Sequence, residues 1–354
     1  MVGSIFGLSE YPVTVFLTSF LNFASAMTKK ISKVVVLGTG GTIAGWAPNP
    51  DQTRQYRAGE VAVDDLVRGI KPSGLQIETE DVARIDSKNM GWTEWQRLVA
   101  RLAHWLAQED VRGVVVTHGT DTLEETAILL HALFPTGKTI VITGAMRAAN
   151  VSEPDGPGNL KDALAAASAP GRAGVVGVFA GQVHAAASLT KLDSQALSAF
   201  ASADPVPIAV AIQNLDALQA RFARQPTHPV DLDVAEFGRV SYWPRVEMVH
   251  NHAAQDGGLV RTIMRADGKP AGWVVAGTGN GTMSQGLEDA LSEAQQQGAW
   301  VWRTTRCTWG QVQAQSGDRF GLVSPLNPYK ARVVMVLALL ANAVKRRGPE
   351  KPGL

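Results

Sequence analysis

Short runs of apolar and β-branched residues recur along the first half of the chain, each followed by glycine or small polar residues. They cover residues 34–37, 114–116, 139–143 and 175–179. A strand without polar alternation is typical of a parallel sheet that is buried on both faces. The glycines that follow such strands allow sharp turns at the strand ends, where open α/β sheets bind ligands. The pattern therefore predicts a domain built on a mainly parallel sheet.

Helical periodicity appears between these runs. Residues 92–108 carry one apolar face, formed by Trp95, Leu98, Leu102 and Leu106. Thr93 with Gln96, and Thr122 with Glu125, have the spacing of capping boxes and predict the starts of two helices.

Residues 221–243 interrupt the strand–helix rhythm with prolines and aspartates, and we interpret them as a linker. A second unit follows, with a strand over 273–276, a glycine turn over 277–281, a helix over 284–297 and a strand over 299–303. Asn327 and Pro328 then have the order of an N-cap and first residue of a final helix. The prediction is an N-terminal extension over 1–30, an α/β domain over 31–220, the linker, and a smaller α/β domain over 244–354.

Composition narrows the function classes. The chain has 354 residues, of which 45% are hydrophobic and 18% charged, with a formal net charge of +1. That length suits two domains. The near-neutral charge lacks the excess of basic residues that is typical of nucleic-acid-binding proteins. Cys307 is the only cysteine, which excludes an intramolecular disulfide and argues against a cysteine-based zinc site.

Residues 1–26 are mostly apolar and allow two interpretations. Ala24-Ser25-Ala26 resembles a signal-peptidase site, but no basic residue precedes the apolar stretch, and Glu10 and Pro12 argue against a membrane span. Met27-Thr-Lys-Lys precedes the first strand like a natural start. We favour a mis-assigned translation start and a cytoplasmic protein; the alternative is a signal peptide and a periplasmic one.

The first glycine turn offers a hydroxyl at the end of a buried strand. Thr42 closes the sequence Thr39-Gly-Gly-Thr42. A dinucleotide-binding fingerprint is disfavoured, because Ile43 stands where that motif needs its last glycine and no acidic residue closes a second strand. From this segment alone, a nucleophile and a purely structural turn both remain open for Thr42.

The second glycine turn places Thr120 and Asp121 between a strand end and a helix N-terminus. His118 is interpreted as a residue that shapes this turn rather than a metal ligand. Lys191 is either a solvated surface lysine or, if it lies near a carboxylate and a threonine, a catalytic base. Tyr56 lies in a polar stretch over 49–59 that has the character of a flap, and it gains interest because a hydroxyl nucleophile needs a proton acceptor.

These motifs, taken in order, resemble those of the bacterial-type L-asparaginases and their glutaminase-asparaginase relatives, over residues of about 31–345. The segments that carry the resemblance are Leu37-Gly-Thr-Gly-Gly-Thr-Ile-Ala-Gly45, Tyr56, Asp86-Ser87, Thr117-His-Gly-Thr-Asp-Thr-Leu-Glu-Glu-Thr126, Gly144-Ala-Met-Arg147, Asp155-Gly-Pro-Gly-Asn-Leu160, Thr190-Lys191, Gly277-Thr-Gly-Asn-Gly281 and Leu326-Asn-Pro-Tyr-Lys-Ala-Arg332. The resemblance implies a parallel-sheet N-terminal domain with flavodoxin-like layering and a smaller α/β C-terminal domain.

The resemblance also implies roles. Thr42, which matches the primary nucleophile, would attack the side-chain amide of L-asparagine to form an acyl-enzyme, with Tyr56 assisting proton transfer; whether Thr42 or Thr120 attacks first stays open. Thr120, Asp121 and Lys191 would form a second catalytic group, in which Asp121 also holds the substrate's α-ammonium. The remaining substrate contacts would come from the Ser87 side chain and from backbone N–H groups of the glycine turns at Gly41 and Gly119. The family needs no metal or cofactor, and the expected assembly is a homotetramer, a dimer of dimers.

Three positions depart from the pattern of secreted high-affinity asparaginases. Lys88 replaces a common Gln beside the serine, Thr282 replaces an Asn, and residues 311–318 lack a Glu that would reach a neighbouring subunit's site. All three lie on the substrate-recognition side, where Lys88 adds a cation. Two alternatives therefore stay open: a glutaminase-asparaginase that also accepts L-glutamine, and a non-catalytic amino-acid-binding protein.

Overall fold

The computed structural model of the protein describes residues 32–51, 55–70, 75–134, 137–202, 205–222, 230–320 and 326–347. Among these residues the larger sheet follows the order β2-β1-β3-β4-β5-β6-β9. The strand bounds are β1 (Lys33–Gly40), β2 (Gln76–Ile85), β3 (Val111–Thr117), β4 (Thr139–Thr143), β5 (Val175–Phe179), β6 (Gln182–Ala185) and β9 (Val206–Pro207). The first five strands are parallel, and β6 and β9 continue the sheet antiparallel. The parallel part has the flavodoxin-like order 2-1-3-4-5, whose topological switch point lies between β1 and β3.

Helices cover both faces of this sheet because its central strands are apolar on both sides. Val34 and Val36 of β1 belong to one buried cluster, while Val35 and Leu37 belong to the cluster on the opposite face. The helices of this domain are α1 (Val63–Val67), α2 (Trp92–Leu106), α3 (Leu123–Leu133), α4 (Gly156–Ser168), α5 (Ile208–Ala211) and α6 (Leu215–Phe222). A separate antiparallel pair, β7 (Thr190–Lys191) and β8 (Phe200–Ala201), carries Lys191.

The second unit is a parallel sheet of β10 (Val246–His250), β11 (Gly272–Gly277) and β12 (Trp300–Thr305). Its helices are α8 (Gly258–Arg265), α9 (Gln285–Gln296) and α10 (Pro328–Arg347). Helix α10 packs on this smaller sheet and also against α3 of the larger domain. The final helix therefore joins the two units through a shared apolar cluster.

The segment interpreted as a linker is partly helical. Within its described part, α7 (Val234–Gly238) begins at a capping box of Asp233 and Glu236, and it buries Phe237 completely. Trp243 contacts Phe237 edge-on and stacks on Trp92 at a centroid distance of 4.2 Å. The chain between the domains is thus packed against α2.

Both capping-box predictions are wrong in their hydrogen bonds. Helix α2 begins after Gly91, so Thr93 lies inside its first turn, and Gln96 Nε2 instead donates to the carbonyl of Val240 at 2.9 Å. Thr122 is the N-cap residue of α3, but its Oγ1 donates to the Ser87 carbonyl at 2.7 Å. The N-cap of the final helix is confirmed, since the Lys330 N–H donates to Asn327 Oδ1 at 3.0 Å.

The apolar stretch over 1–26 lies outside the described residues. Among the helices that are described, none combines the length and apolar character that a bilayer crossing requires.

Candidate active site

The two glycine turns meet at the switch point of the sheet. Gly41 follows β1 with φ 79°, in the left-handed region that favours glycine. A β-carbon at Gly41 would lie 2.2 Å from the Cα of Gly119, which follows β3, and one at Gly119 would lie 2.6 Å from Ser87 Oγ. Only glycine fits both positions, so the three turns that carry Thr42, Ser87 and Thr120 are held against one another.

Thr42 and Tyr56 form the first hydroxyl pair. Thr42 opens a 3₁₀ turn (Thr42–Ala44) directly after Gly41, and its hydroxyl lies 2.7 Å from the Tyr56 hydroxyl. The stretch that bears Tyr56 is held at its base by a two-way backbone pair between Trp46 and Arg57. Thr42 is only 7% exposed, whereas Tyr56 is 36% exposed. The pair therefore joins a buried hydroxyl to a tyrosine at the surface.

Lys191 joins the second hydroxyl to a carboxylate. Its Nζ donates to Thr120 Oγ1 and to Asp121 Oδ1, each at 2.8 Å. The Asp121 side chain is 59% exposed, so one face of the carboxylate is open to solvent. An ammonium that donates to a hydroxyl oxygen stabilises the negative charge that develops when the hydroxyl loses its proton. The group can therefore ease deprotonation at Thr120 while Asp121 presents an anion outward.

Ser87 and Lys88 lie on a third turn beside these groups. Asp86 caps the 3₁₀ turn Ser87–Asn89, and the buried Ser87 is linked to the second glycine turn through the Thr122 hydrogen bond to its carbonyl. Lys88 is mostly exposed and its Nζ lies 2.9 Å from Asp86 Oδ2. The hydrogen bond to Asp86 raises the pKa of Lys88, with smaller contributions from the charges of Asp121 and Tyr56. Lys88 is therefore a cation at the outer edge of the site.

A directed hydrogen-bond chain supports the second glycine turn from within the core. Trp95 Nε1 donates to Thr126 Oγ1 at 2.8 Å, and that hydroxyl lies 2.9 Å from His118 Nε2. His118 Nδ1 lies 2.7 Å from the Gly119 carbonyl. Every hydrogen bond in this chain has one donor and one acceptor when His118 is neutral with its proton on Nδ1. Burial favours this neutral form, because it lowers the pKa of His118 to about 4. His118 thus shapes the turn, as the sequence suggested.

Two residues with no role assigned from sequence shape the neighbouring loop after β4. The Asp155 carboxylate accepts hydrogen bonds from the backbone N–H groups of Met146 and Arg147, each at 2.9 Å. Asn159, one turn further along α4, donates to the Gly144 carbonyl at 3.0 Å. The i, i+4 spacing of an acid and an amide at a helix N-terminus was the available signal.

Two positions in the C-terminal unit depart from the family pattern. Both form hydrogen bonds to other residues of the same chain. Thr282 pairs with Thr278 through backbone hydrogen bonds of 2.8 Å in both directions. Asp318, the carboxylate in residues 311–318, binds Arg303 through two hydrogen bonds of 2.8 and 2.6 Å. No group of three or more metal-ligating side chains occurs among the residues that the structure describes.

Two family models match the chain. Residues 33–226 match the model described as Asparaginase, N-terminal, and residues 245–347 match the Glutaminase/Asparaginase C-terminal domain. Between them they account for both structural units.

Individual relatives agree with these matches. The chain is 32% identical to L-asparaginase 2 of Bacillus subtilis over 94% of its own length and 88% of the relative's. It is 31% identical to L-asparaginase 2 of Escherichia coli, over 87% and 89%. It is 30% identical to the glutaminase-asparaginase of Pseudomonas fluorescens, over 88% and 87%. The structure is similar to that of a probable cytoplasmic L-asparaginase from Campylobacter jejuni, with a TM-score of 0.75, 28% identity, and coverage of 89% and 97%.

The low pKa of His118 predicts a pH dependence of stability. The folded protein keeps His118 neutral down to about pH 4, whereas in the unfolded chain it gains a proton near pH 6.5. Since the unfolded state binds more protons in this window, stability is lost as pH falls from 6.5 towards 4. We expect the free energy of unfolding of the wild type to drop between pH 7 and 4.5 by about 2 kcal/mol more than that of His118→Asn.

Urea unfolding of both proteins at the two pH values measures this difference. Asn retains a donor near the Gly119 carbonyl but does not titrate. His184, whose pKa burial also lowers to about 4, is present in both proteins and cancels in the comparison. If the free energy of unfolding depended equally on pH in the two proteins, the low pKa assigned to His118 would be contradicted.

Proposed function

The chain belongs to the asparaginase family, and we propose that it hydrolyses the side-chain amide of L-asparagine to L-aspartate and ammonia through Thr42. The observation that carries this proposal is the 2.7 Å contact between Thr42 and Tyr56 at the β1/β3 switch point, beside the Thr120–Asp121–Lys191 group. A hydroxyl attacks an amide at neutral pH only when proton acceptors and oxyanion donors are assembled around it.

In the first half-reaction, Thr42 Oγ1 attacks the side-chain carbonyl carbon of the substrate. Its proton passes to the Tyr56 hydroxyl, which gives up its own proton to the leaving nitrogen, so that ammonia departs and an ester to Thr42 remains. The negative charge that develops on the carbonyl oxygen is stabilised by backbone N–H groups of the two adjoining glycine turns other than that of Gly41, which donates to the Ile85 carbonyl at 2.8 Å.

In the second half-reaction, water cleaves the ester and restores the Thr42 hydroxyl. The Thr120 hydroxyl passes its own proton to the departing Thr42 oxygen and takes a proton from the attacking water, and Lys191 stabilises the negative charge on the Thr120 oxygen between the two transfers. The hydrogen bond of 2.8 Å from Lys191 Nζ to Thr120 Oγ1 supports this role, because the ammonium already donates to the oxygen concerned.

The exposed side of the site binds the α-ammonium and α-carboxylate groups of the substrate. The outward face of Asp121 binds the α-ammonium, and Ser87 binds the α-carboxylate with Lys88 nearby. The close packing of Gly119 on Ser87 supports this arrangement, because it holds the serine and Asp121 on adjoining turns. L-Glutamine is the alternative substrate, since relatives named glutaminase-asparaginase are 29–30% identical to this chain.

The compartment and assembly complete the proposal. We propose a homotetramer, a dimer of dimers, that lies in the cytoplasm. The similar structure of a probable cytoplasmic L-asparaginase supports the compartment, and a relative named periplasmic, at 29% identity, represents the alternative. Static light scattering on the purified chain should give about four times the 37.6 kDa chain mass. A monomer mass would contradict the assembly.

Ammonia release from L-asparagine and from L-glutamine tests the activity. We expect the wild type to hydrolyse L-asparagine, Thr42→Ala to lose at least about 10³-fold in kcat, and Tyr56→Phe to lose about 10²-fold or more. Thr42→Ser, which keeps a hydroxyl, is the matched control and should retain measurable turnover. A wild type that releases no ammonia from either amide, or a fully active Thr42→Ala, would refute the proposal.

Thr120→Ala separates the two half-reactions. If Thr42 attacks first, this variant should accumulate an aspartyl ester that mass spectrometry maps to Thr42. An adduct found on Thr120 in the Thr42→Ala variant would reverse the assigned order.

Lys88→Gln tests the cation at the rim of the site. Removing an exposed charge near a bound carboxylate weakens binding modestly, so we expect KM for L-asparagine to rise about two- to fivefold with kcat unchanged. Lys345→Gln is the matched control, because Lys345 forms an exposed pair with Asp231 at the same 2.9 Å. A fall in kcat with constant KM would place Lys88 in the chemical step instead.

A further inference from the structure

A buried charged cluster lies behind the Thr120–Asp121–Lys191 group and takes no part in the mechanism above. Lys330 of α10 is 1% exposed and Glu124 of α3 is 8% exposed. Lysine and glutamate are almost never buried to this degree unless they are paired. Asn327 and Thr190 complete what we call the junction cluster: Glu124, Thr190, Asn327 and Lys330.

The cluster connects both sides of the second catalytic group to the start of α10. Lys330 Nζ donates to the Ala187 carbonyl at 3.0 Å and lies 3.4 Å from Thr190 Oγ1, next to Lys191 in the chain. Asn327 Nδ2 donates to the Glu124 carboxylate at 2.8 Å, in the first turn of the helix that follows Asp121. One end of α10 therefore holds the strand that bears Lys191 and the helix that follows Thr120.

Stability does not explain this cluster. Burial lowers the pKa of Lys330 to about 8 and raises that of Glu124, although each has the other as a partner. The attraction across 3.8 Å therefore does not offset the desolvation of the two charges. Well-packed apolar residues of similar volume would stabilise such a junction at least as well.

We propose that Lys330 is a positioning residue through which the C-terminal domain fixes the 187–191 segment, and with it Lys191, against Thr120. This inference rests on the proposed function of Lys191. An ammonium on a long, flexible side chain activates one hydroxyl only when its backbone is fixed, because small displacements of a catalytic group cost large factors in rate. The donor to the Ala187 carbonyl supplies that fixed point from the other domain.

Lys330→Met tests the proposal in the full-length protein. Methionine keeps most of the side-chain volume and leaves the contact between Asn327 and Glu124 in place. We expect kcat for L-asparagine to fall at least about tenfold with KM within about threefold, because Lys191 acts in the chemical step while Asp121 keeps its place. Hydrogen exchange of the backbone amides over residues 186–192 should accelerate by about tenfold or more.

Lys33→Met is the matched control. Lys33 Nζ lies 3.5 Å from Asp110 in a partly buried pair at the amino end of β1, away from the strand ends that carry the site. We expect kcat within about twofold of the wild type and unchanged exchange over 186–192. A Lys330→Met variant with wild-type kcat, or with lowered kcat but unchanged exchange over 186–192, would overturn the proposal.

Thr190→Val and Thr190→Ser keep the test decisive if Lys330→Met folds poorly. Valine removes the oxygen that lies 3.4 Å from both Lys330 Nζ and Asn327 Nδ2, whereas serine retains it. We expect the valine variant to lose kcat and the serine variant to keep it; equal kcat in the two would overturn the proposal. If the wild type releases no ammonia from either amide, the proposed function fails, and the exchange measurements alone then judge whether Lys330 fixes the segment.

Discussion

The contact between Gly41 and Gly119 is the constraint on which the rest of the site depends. A β-carbon at Gly41 would overlap the Gly119 backbone and one at Gly119 would overlap Ser87, so the ends of β1 and β3 approach more closely than other residues would allow. Because these strands flank the topological switch point, a crevice opens where the helices diverge to opposite faces. Thr42 and Thr120 directly follow the two glycines. The two threonines therefore lie on turns whose backbones are in direct contact.

The sequence alone predicted the centre of the larger domain well and its edge poorly. Apolar runs located β1, β3, β4 and β5, because strands buried on both faces need continuous hydrophobicity. Strand β2, with the sequence QIETEDVARI, was missed. It pairs only with β1 at the edge of the sheet and is half-exposed along most of its length, so its polar residues resemble those of a loop.

Long-range polar contacts mark the limit of prediction from sequence within the site. Thr122 and Gln96 were expected to bond within their own helices, yet their partners lie 35 and 144 residues away. The sequence analysis did not predict the junction cluster for the same reason. Asn327 and Glu124 are 203 residues apart, and local spacing indicated only that Asn327 is a helix cap. Local spacing identifies side chains able to form hydrogen bonds, whereas the tertiary fold chooses their partners. The contacts of Thr42 with Tyr56 and of Lys191 with Thr120 were anticipated because family motifs carry tertiary information that local patterns lack.

Exposure separates the residues that we propose for the chemical step from those that we propose for substrate recognition. Thr42 and Thr120 are buried at the strand ends, Lys191 contacts Thr120 from a mostly buried position, and Asp121 and Lys88 lie at the surface. A substitution at the rim changes a solvated charge whose effect water screens, so Lys88 can alter substrate preference without disturbing the threonines. A substitution in the junction cluster acts in the opposite way, because a buried charge that loses its partner disturbs the backbone that holds Lys191. Under the proposed mechanism, substitutions at the rim would therefore change substrate preference, while the buried geometry beneath it, held from the second domain, would preserve the reaction.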